Sequence, residues 1–265
     1  MSDLLEVAVA AARAAGEFLV ASRPASLRVA TKSTPTDVVT QMDTAAERLI
    51  GERLRERRPN DAILGEEGQN QGAAASSDRS TVRWIVDPID GTVNYLYAIP
   101  QWSVSIAAEV EGVVEVGAVL DPSKGELFTA VRGEGAWLNG APIAVSGCED
   151  LSLALVGTGF GYDAARRARQ SQVLTGVLPI VRDIRRLGAA SLDLCALACG
   201  RLDGYYERGL NVWDYAAAGL IAAEAGALVG GLHGRPASGE LYIAATPAVF
   251  EPLRDLLAGL EADRD

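Results

Sequence analysis

The chain has 265 residues, 49% of them apolar, and a net charge of −11 from 35 acidic against 24 basic side chains. That length can bury one large core or two fused ones, and no apolar run reaches the roughly 18 residues of a membrane span. The acidic balance lacks the basic face of a nucleic-acid binder, so neither a nucleic-acid nor a membrane partner is expected, and the default location is cytoplasmic.

The N-terminus, "DLLEVAVAAARAAGEFLVAS", carries Asp3, Glu6, Arg13 and Glu17 through its apolar stretch. It reads as an amphipathic helix over about 3–22, not as a signal peptide. Arg23-Pro24 ends it, and "SLRVATKSTPTD" reads as a short extended piece and a polar loop. A second helix is expected from near Asp37, capped by Thr36 or Asp37, to about Arg57, with Asp43 in its early turns. "AILGEEG" reads as a strand ending in Glu66 and Glu67, and "QNQGAAASSDRS" as a mobile polar loop. "TVRWIVD" is a buried strand that should end near Asp87, because Pro88 cannot donate a ladder hydrogen bond. Thr92 then opens a helix through "VNYLYAI". Several strands follow to about residue 140, with turn signals at Glu111-Gly112, Asp121-Pro122 and Lys124-Gly125. After about residue 150 strands and helices alternate: "LALVGTG", "IVRDIRRLG", "LDGYYER" and "GELYIAAT" as strands, "YDAARRARQSQVLTGV", "AASLDLCALACG", "VWDYAAAGLIAAEAG" and "PAVFEPLRDLLAGLEA" as helices, and "GGLHGRP" as a loop. Three cysteines, Cys148, Cys195 and Cys199, lack CxxC spacing and argue against a disulfide framework. The single histidine, His233, excludes a multi-histidine zinc site.

Acidic residues carry the chemical signal. "WIVDPIDGTVNYLY" places Asp87 and Asp90 around a proline at a strand end, with Gly91 to permit unusual backbone angles. The turn gathers two carboxylates, the Ile89 carbonyl and free N–H groups at a helix start. Such oxygens suit Mg²⁺, and such N–H groups suit phosphate. Each acidic piece alone also has an ordinary structural explanation. Asp87-Pro88 can be a plain capped turn, Glu66-Glu67 a solvated loop, and Asp43 an exposed helix carboxylate. Asp214 in "VWDYAAAG" is favourable at a helix start from the dipole alone.

Taken together, "TKSTPTDVVTQMD", "GEEG", "WIVDPIDGTVNY" and "WDYAAAGL" resemble the inositol monophosphatase family over almost the whole chain. One departure is Tyr97, where many relatives have histidine. The resemblance implies an α+β fold, a layered α/β/α/β/α sandwich of the sugar-phosphatase type. It implies a single unit over 1–265, with an N-terminal α+β lobe to about 148 and a C-terminal α/β lobe from about 149. It implies two or three Mg²⁺ ions, one on Glu66, Asp87 and the Ile89 carbonyl, another on Asp87, Asp90 and Asp214. Glu67 would support a third ion or face solvent. Thr92 and Asp43 would orient the attacking water, with Glu66 counted among the catalytic residues. The Gly91 and Thr92 N–H groups would hold phosphate, and Lys32 and Ser33 would belong to a closing loop. Gly188, Ala189 and Ala190 would line the alcohol site, and Glu207 would accept from inositol hydroxyls, while Asp90 touches both metal and substrate. A homodimer, lithium sensitivity and a small phosphorylated polyol substrate are implied as well. Fructose 1,6-bisphosphate, histidinol phosphate and a 3′-phosphonucleotide stay open as substrates for the same chemistry, as does a regulatory binding role beside an incidental active site.

Overall fold

The computed structural model describes residues 3–24, 27–35, 37–68, 70–71 and 82–264. Helix α1 (Asp3–Ala21) leads into a hairpin, β1 (Val29–Thr31) and β2 (Val38–Thr40), and then helix α2 (Gln41–Arg57). Next come β3 (Ala62–Gly65), β4 (Asn70–Gln71), β5 (Val82–Asp90), the short helix α3 (Thr92–Leu96), β6 (Ser103–Val110), β7 (Val113–Asp121), β8 (Glu126–Val131), β9 (Gly135–Leu138) and β10 (Ala141–Pro142). A 3₁₀ turn (Leu151–Leu153) opens the remainder: β11 (Leu155–Thr158), α4 (Ala164–Val177), β12 (Asp183–Arg185), α5 (Ala190–Ala198), β13 (Gly204–Glu207), α6 (Val212–Glu224), β14 (Leu228–Gly230), β15 (Tyr242–Ala245) and α7 (Pro247–Gly259).

The strands form an eight-stranded sheet, in the order β10-β9-β8-β7-β6-β5-β3-β4, and a five-stranded sheet, in the order β12-β11-β13-β15-β14. Helices α1 and α2 cover the outer face of the large sheet. Helices α5 and α6 lie between the two sheets, and α4 and α7 cover the outer face of the small one. The result is the expected α/β/α/β/α sandwich, with three hydrophobic cores at its inner boundaries. In α1, Leu5, Ala8, Ala12, Ala15 and Leu19 recur at helical spacing and are buried against the sheet. The middle layer is thin because α6 is alanine-rich: a Cβ on Gly117 of β7 would stand 2.6 Å from the Ala217 carbonyl oxygen. Strand β5 is buried along nearly its whole length, as a central strand covered on both faces must be. Among the described residues no helix is long and apolar enough to cross a membrane.

Three expectations need correction. Helix α2 starts at Gln41 with Thr40 as its cap, not near Asp37; Thr36 lies outside the described residues. Asp37 is used in the hairpin turn, where its carbonyl accepts from Lys32 N–H at 2.8 Å and its carboxylate accepts from Ser33 Oγ at 2.5 Å. Strand β5 runs past Pro88 to Asp90, because a register irregularity between Asp87 and Asp90 takes up the missing donor before pairing resumes at Asp90 and Ser103. Helix α3 stops at Leu96, where Ala98 turns into the left-handed region at φ 58°. The expected mobile loop over "QNQGAAASSDRS" lies for the most part outside the described residues; Asn70–Gln71 pair with β3.

Candidate active site

The end of β5 forms the floor of a cavity of about 360 Å³. Asp87 is 1% exposed, and its Oδ1 accepts from the Ile89 N–H at 3.0 Å. Gly91 follows at φ 91°, and a Cβ there would stand 3.0 Å from the Gln101 carbonyl oxygen, so both backbone angle and space require glycine. Thr92 Oγ1 lies 3.0 Å from Asp43 Oδ1 and 3.0 Å from the Ile89 carbonyl oxygen. A hydroxyl has one hydrogen and both neighbours are acceptors, so Thr92 donates to one of them and keeps lone-pair capacity for an incoming water.

Three further carboxylates meet helix starts. Asp43 Oδ2 accepts from the backbone N–H of Thr40 at 2.9 Å and from its hydroxyl at 2.6 Å, closing a capping box on α2. Asp214 Oδ2 accepts from Asn211 N–H at 2.6 Å at the start of α6. Asp90 caps α5 from a hundred residues away: it accepts from Ala190 N–H at 3.2 Å, Ser191 N–H at 2.8 Å and Ser191 Oγ at 2.5 Å. The positive ends of α2, α5 and α6 therefore meet these carboxylates.

Glu66 and Glu67 come from the turn after β3. Lys32, on the β1–β2 hairpin, donates from Nζ to Glu66 Oε1 at 2.8 Å and to Glu67 Oε1 at 2.5 Å. Glu67 N–H donates to Glu47 Oε2 at 2.7 Å. Ser33 is tied to Asp37 instead, although it lines the cavity. Tyr97, by contrast, is 73% exposed at the end of α3 and lines no part of the cavity.

Burial and mutual repulsion raise the carboxyl pKa values. Asp87 is pushed well up by burial and then by Glu66, Asp90 and Asp214. Asp214 is pushed up by burial and Asp90. Burial carries Asp90 to about 6 despite its bonds from Ser191. Asp43 is raised by burial, against the bonds from Thr40 and Thr92. Burial carries Glu67 to about 7, with Lys32 opposing it. Such a set takes up protons or cations. Its donors are hard oxygens, which fit Mg²⁺. Among the described residues no three His, Cys, Asp or Glu side chains gather at metal-holding spacing. An ion held here would complete its shell with water and substrate, as Mg²⁺ does.

The expected alcohol-site residues line the same cavity, with Ala190 directly beside Asp90. Gly188 is at φ 93°, with no room for a side chain against Asn94 and Arg186, and Ala189 and Ala190 continue into α5. Glu207 ends β13; its Oε2 lies 2.5 Å from the Tyr205 hydroxyl, and its carboxylate fills the space beside Gly159. Burial lifts Glu207 to about 7, with Tyr205 and Arg186 opposing. Sequence reasoning missed Arg166, Arg186, Asp193 and Trp213, which also line the cavity. Trp213 Nε1 is buried without a hydrogen-bond partner among the described residues. The available signal for Asp193 was a carboxylate inside the otherwise apolar helix "ASLDLCALA".

Comparison with known proteins agrees with this geometry. The inositol monophosphatase family profile matches residues 1–262. Inositol-1-monophosphatase SuhB of Mycobacterium tuberculosis (strain ATCC 25618 / H37Rv) is 47% identical over 240 residues, covering 88% of this chain and 81% of that protein. Nus factor SuhB of Pasteurella multocida (strain Pm70) is 42% identical over 262 residues, covering 97% and 96%. The crystal structure of extragenic suppressor protein suhB from Bartonella henselae superposes with a TM-score of 0.89 at 36% identity, covering 97% of this chain and 98% of that one. The chain belongs to the inositol monophosphatase family and is a phosphatase of that type.

Proposed function

We propose that the protein is a Mg²⁺-dependent phosphate monoester hydrolase that releases phosphate from inositol monophosphate by direct attack of water. The observation that carries this reading is the Thr92 hydroxyl set between Asp43 and the Ile89 carbonyl, beside Asp87, Asp90, Asp214 and Glu66. Glu66, Asp87 and the Ile89 carbonyl would hold one ion, and Asp87, Asp90 and Asp214 another, with Glu67 available to a third. Bound Mg²⁺ supplies Lewis acidity toward water and phosphate oxygens. Thr92 accepts from the attacking water and relays its proton toward Asp43, whose raised pKa makes it a better base than an ordinary carboxylate. The Gly91 and Thr92 N–H groups hold phosphate oxygens. Gly188, Ala189, Ala190 and Glu207 orient the alcohol, and the Lys32–Ser33 hairpin closes over the Glu66 side.

The test is phosphate release from myo-inositol 1-phosphate, fructose 1,6-bisphosphate, histidinol phosphate and adenosine 3′,5′-bisphosphate at fixed Mg²⁺, with and without chelator. Activity that survives complete chelation refutes the metal reading. A rate ratio favouring another substrate moves the chemistry to that substrate. The two guanidinium groups on the cavity wall, Arg166 and Arg186, support this second reading, because they suit a substrate with an additional anionic group. The relative named Nus factor SuhB also supports a regulatory role beside catalysis, so the absence of a nucleic-acid partner is not proposed. Rescue of a deletion phenotype by a catalytically dead variant would establish that role; failure of the rescue would refute it.

A further inference from the structure

Buried polar atoms in folded proteins are almost always hydrogen-bonded, and an orphan calls for an explanation. Asp193 Oδ1 is such an atom. The residue is 1% exposed on α5, one turn into a helix whose neighbours Leu192, Leu194 and Cys195 are core, and its Oδ1 has no partner among the described residues. Yet Asp193 lines the cavity, as Glu207 does. Glu207 is the strongest charge acting on it, and Arg186 is the cation that opposes. A carboxyl used only for packing would carry the desolvation of this oxygen with nothing to offset it. An oxygen left without a partner in the substrate-free protein is instead placed for a partner that arrives.

We propose that Asp193 is a specificity-determining residue of this pocket, exchanging a hydrogen bond with a hydroxyl of the substrate's alcohol portion alongside Glu207. The inference rests on the proposed phosphatase reading and deepens it: two carboxyl groups from different elements, α5 and β13, select an alcohol that offers more than one hydroxyl. An aryl phosphate has no such hydroxyl and would leave Oδ1 orphaned, as the substrate-free protein does. The contact therefore adds to binding only for polyol phosphates.

The experiment compares wild type with Asp193→Leu and Asp193→Asn on myo-inositol 1-phosphate and on p-nitrophenyl phosphate, and measures the melting temperature of each protein without substrate. Asp193→Leu should lower kcat/KM for the inositol phosphate about tenfold or more, while the aryl phosphate stays within about threefold. The melting temperature of the near-isosteric Asn variant should stay within about 2–4 °C of wild type, because the orphan oxygen has no protein partner to lose. Asp193→Asn keeps a hydrogen-bonding group of the same size, and its kcat/KM should fall between. Equal losses on both substrates, an unchanged ratio, or an Asn variant that melts far below wild type would each overturn the proposal. Those outcomes mean that the oxygen is satisfied internally, by packing or an enclosed water. A wild type that cleaves the aryl phosphate but not the inositol phosphate refutes the inositol reading alone. The same ratio is then read with the hydroxyl-bearing phosphate that wild type prefers in the panel.

Discussion

Thr92→Val separates the chemistry of the site from its architecture. Valine matches threonine in shape, so the buried position keeps its packing and loses only the hydroxyl. That hydroxyl sits 3.0 Å from both Asp43 Oδ1 and the Ile89 carbonyl. With one hydrogen to give, it contributes a single bond at a time, about 1 kcal/mol net. Asp43 retains its two bonds from Thr40 but loses its third donor, and the total cost in stability is about 1–3 kcal/mol. In a chain of this size each kcal/mol lowers the melting temperature by about 2–4 °C. The effect on turnover should be much larger. Loss of the group that aligns water and passes its proton lowers kcat by about 10²–10⁴-fold, or roughly 3–5 kcal/mol in the barrier. The substrate's KM should move little, since the Thr92 N–H is unchanged. Phosphate release at saturating substrate, read beside thermal melts, is the assay, and Thr92→Ser should restore most of the rate. A Thr92→Val enzyme within about threefold of wild type would show that the Asp43–Thr92 pair is structural and that water is aligned by other groups.

Asp90→Asn should nearly abolish turnover while preserving the fold, since the amide oxygen can still accept from Ser191 N–H; circular dichroism and melts at several pH values check the fold, and a variant near wild-type rate would leave Asp90 as a cap of α5 only. Glu207 is raised to about 7 by burial, so its protonated form is favoured by folding: its stabilising contribution is full below its unfolded pKa and is lost as pH rises through about 7. Glu207→Gln should therefore flatten the fall of melting temperature between pH 5 and 8, and an unchanged slope would refute the raised pKa. A homodimer is expected in light scattering, and a monomer at working concentration would refute it.

Some of the site was legible because its signals are local. The Asp87–Thr92 turn, the two glutamates after β3 and Asp214 at a helix start each announce themselves by type and spacing, and helices α1 and α4–α7 follow from apolar periodicity and capping. The start of α2 was misplaced because "TPTDVVT" offers two capping signals. The hairpin takes the first, spending Asp37 on Lys32 and Ser33, and leaves Thr40 with Asp43 as the real box. The strand through Pro88 was cut short because a bulge is a property of the pair of strands, visible only when β6 lies alongside. Strand β14 escaped notice as a three-residue, largely exposed edge. Asp90 as the cap of α5, and Arg186 and Asp193 as cavity residues, depend on contacts across a hundred residues or on the meeting of distant segments that no window spans.

The same contacts decide how so many carboxylates can share one cavity. Asp43, Asp90 and Asp214 each meet a helix start, a placement worth about 0.3–1 kcal/mol apiece at an exposed end and up to about 2 when partly buried. Two carboxylates about 4 Å apart repel by about 4 kcal/mol at an effective dielectric of 20. Two helix ends at their upper limit therefore offset only one such pair, and the site gathers more than one. The remainder must come from protons or cations, and burial, followed by this repulsion, shifts Asp87, Asp90 and Asp214 upward. Lys32 supplies one positive charge, but it sits on Glu66 and Glu67, on the hairpin side. Nothing comparable faces Asp87 and Asp214 among the described residues. The charge imbalance is concentrated where the proposed hydrolysis needs a divalent ion, and Lys32 would have to yield Glu66 as that ion enters. In the proposed site the Lys32 ion pair and a metal ion would compete for one carboxylate, which gives Lys32→Gln a distinct signature. It should tighten Mg²⁺ binding, read as a lower Mg²⁺ concentration for half-maximal rate. A higher one would mean that the lysine helps to assemble the site.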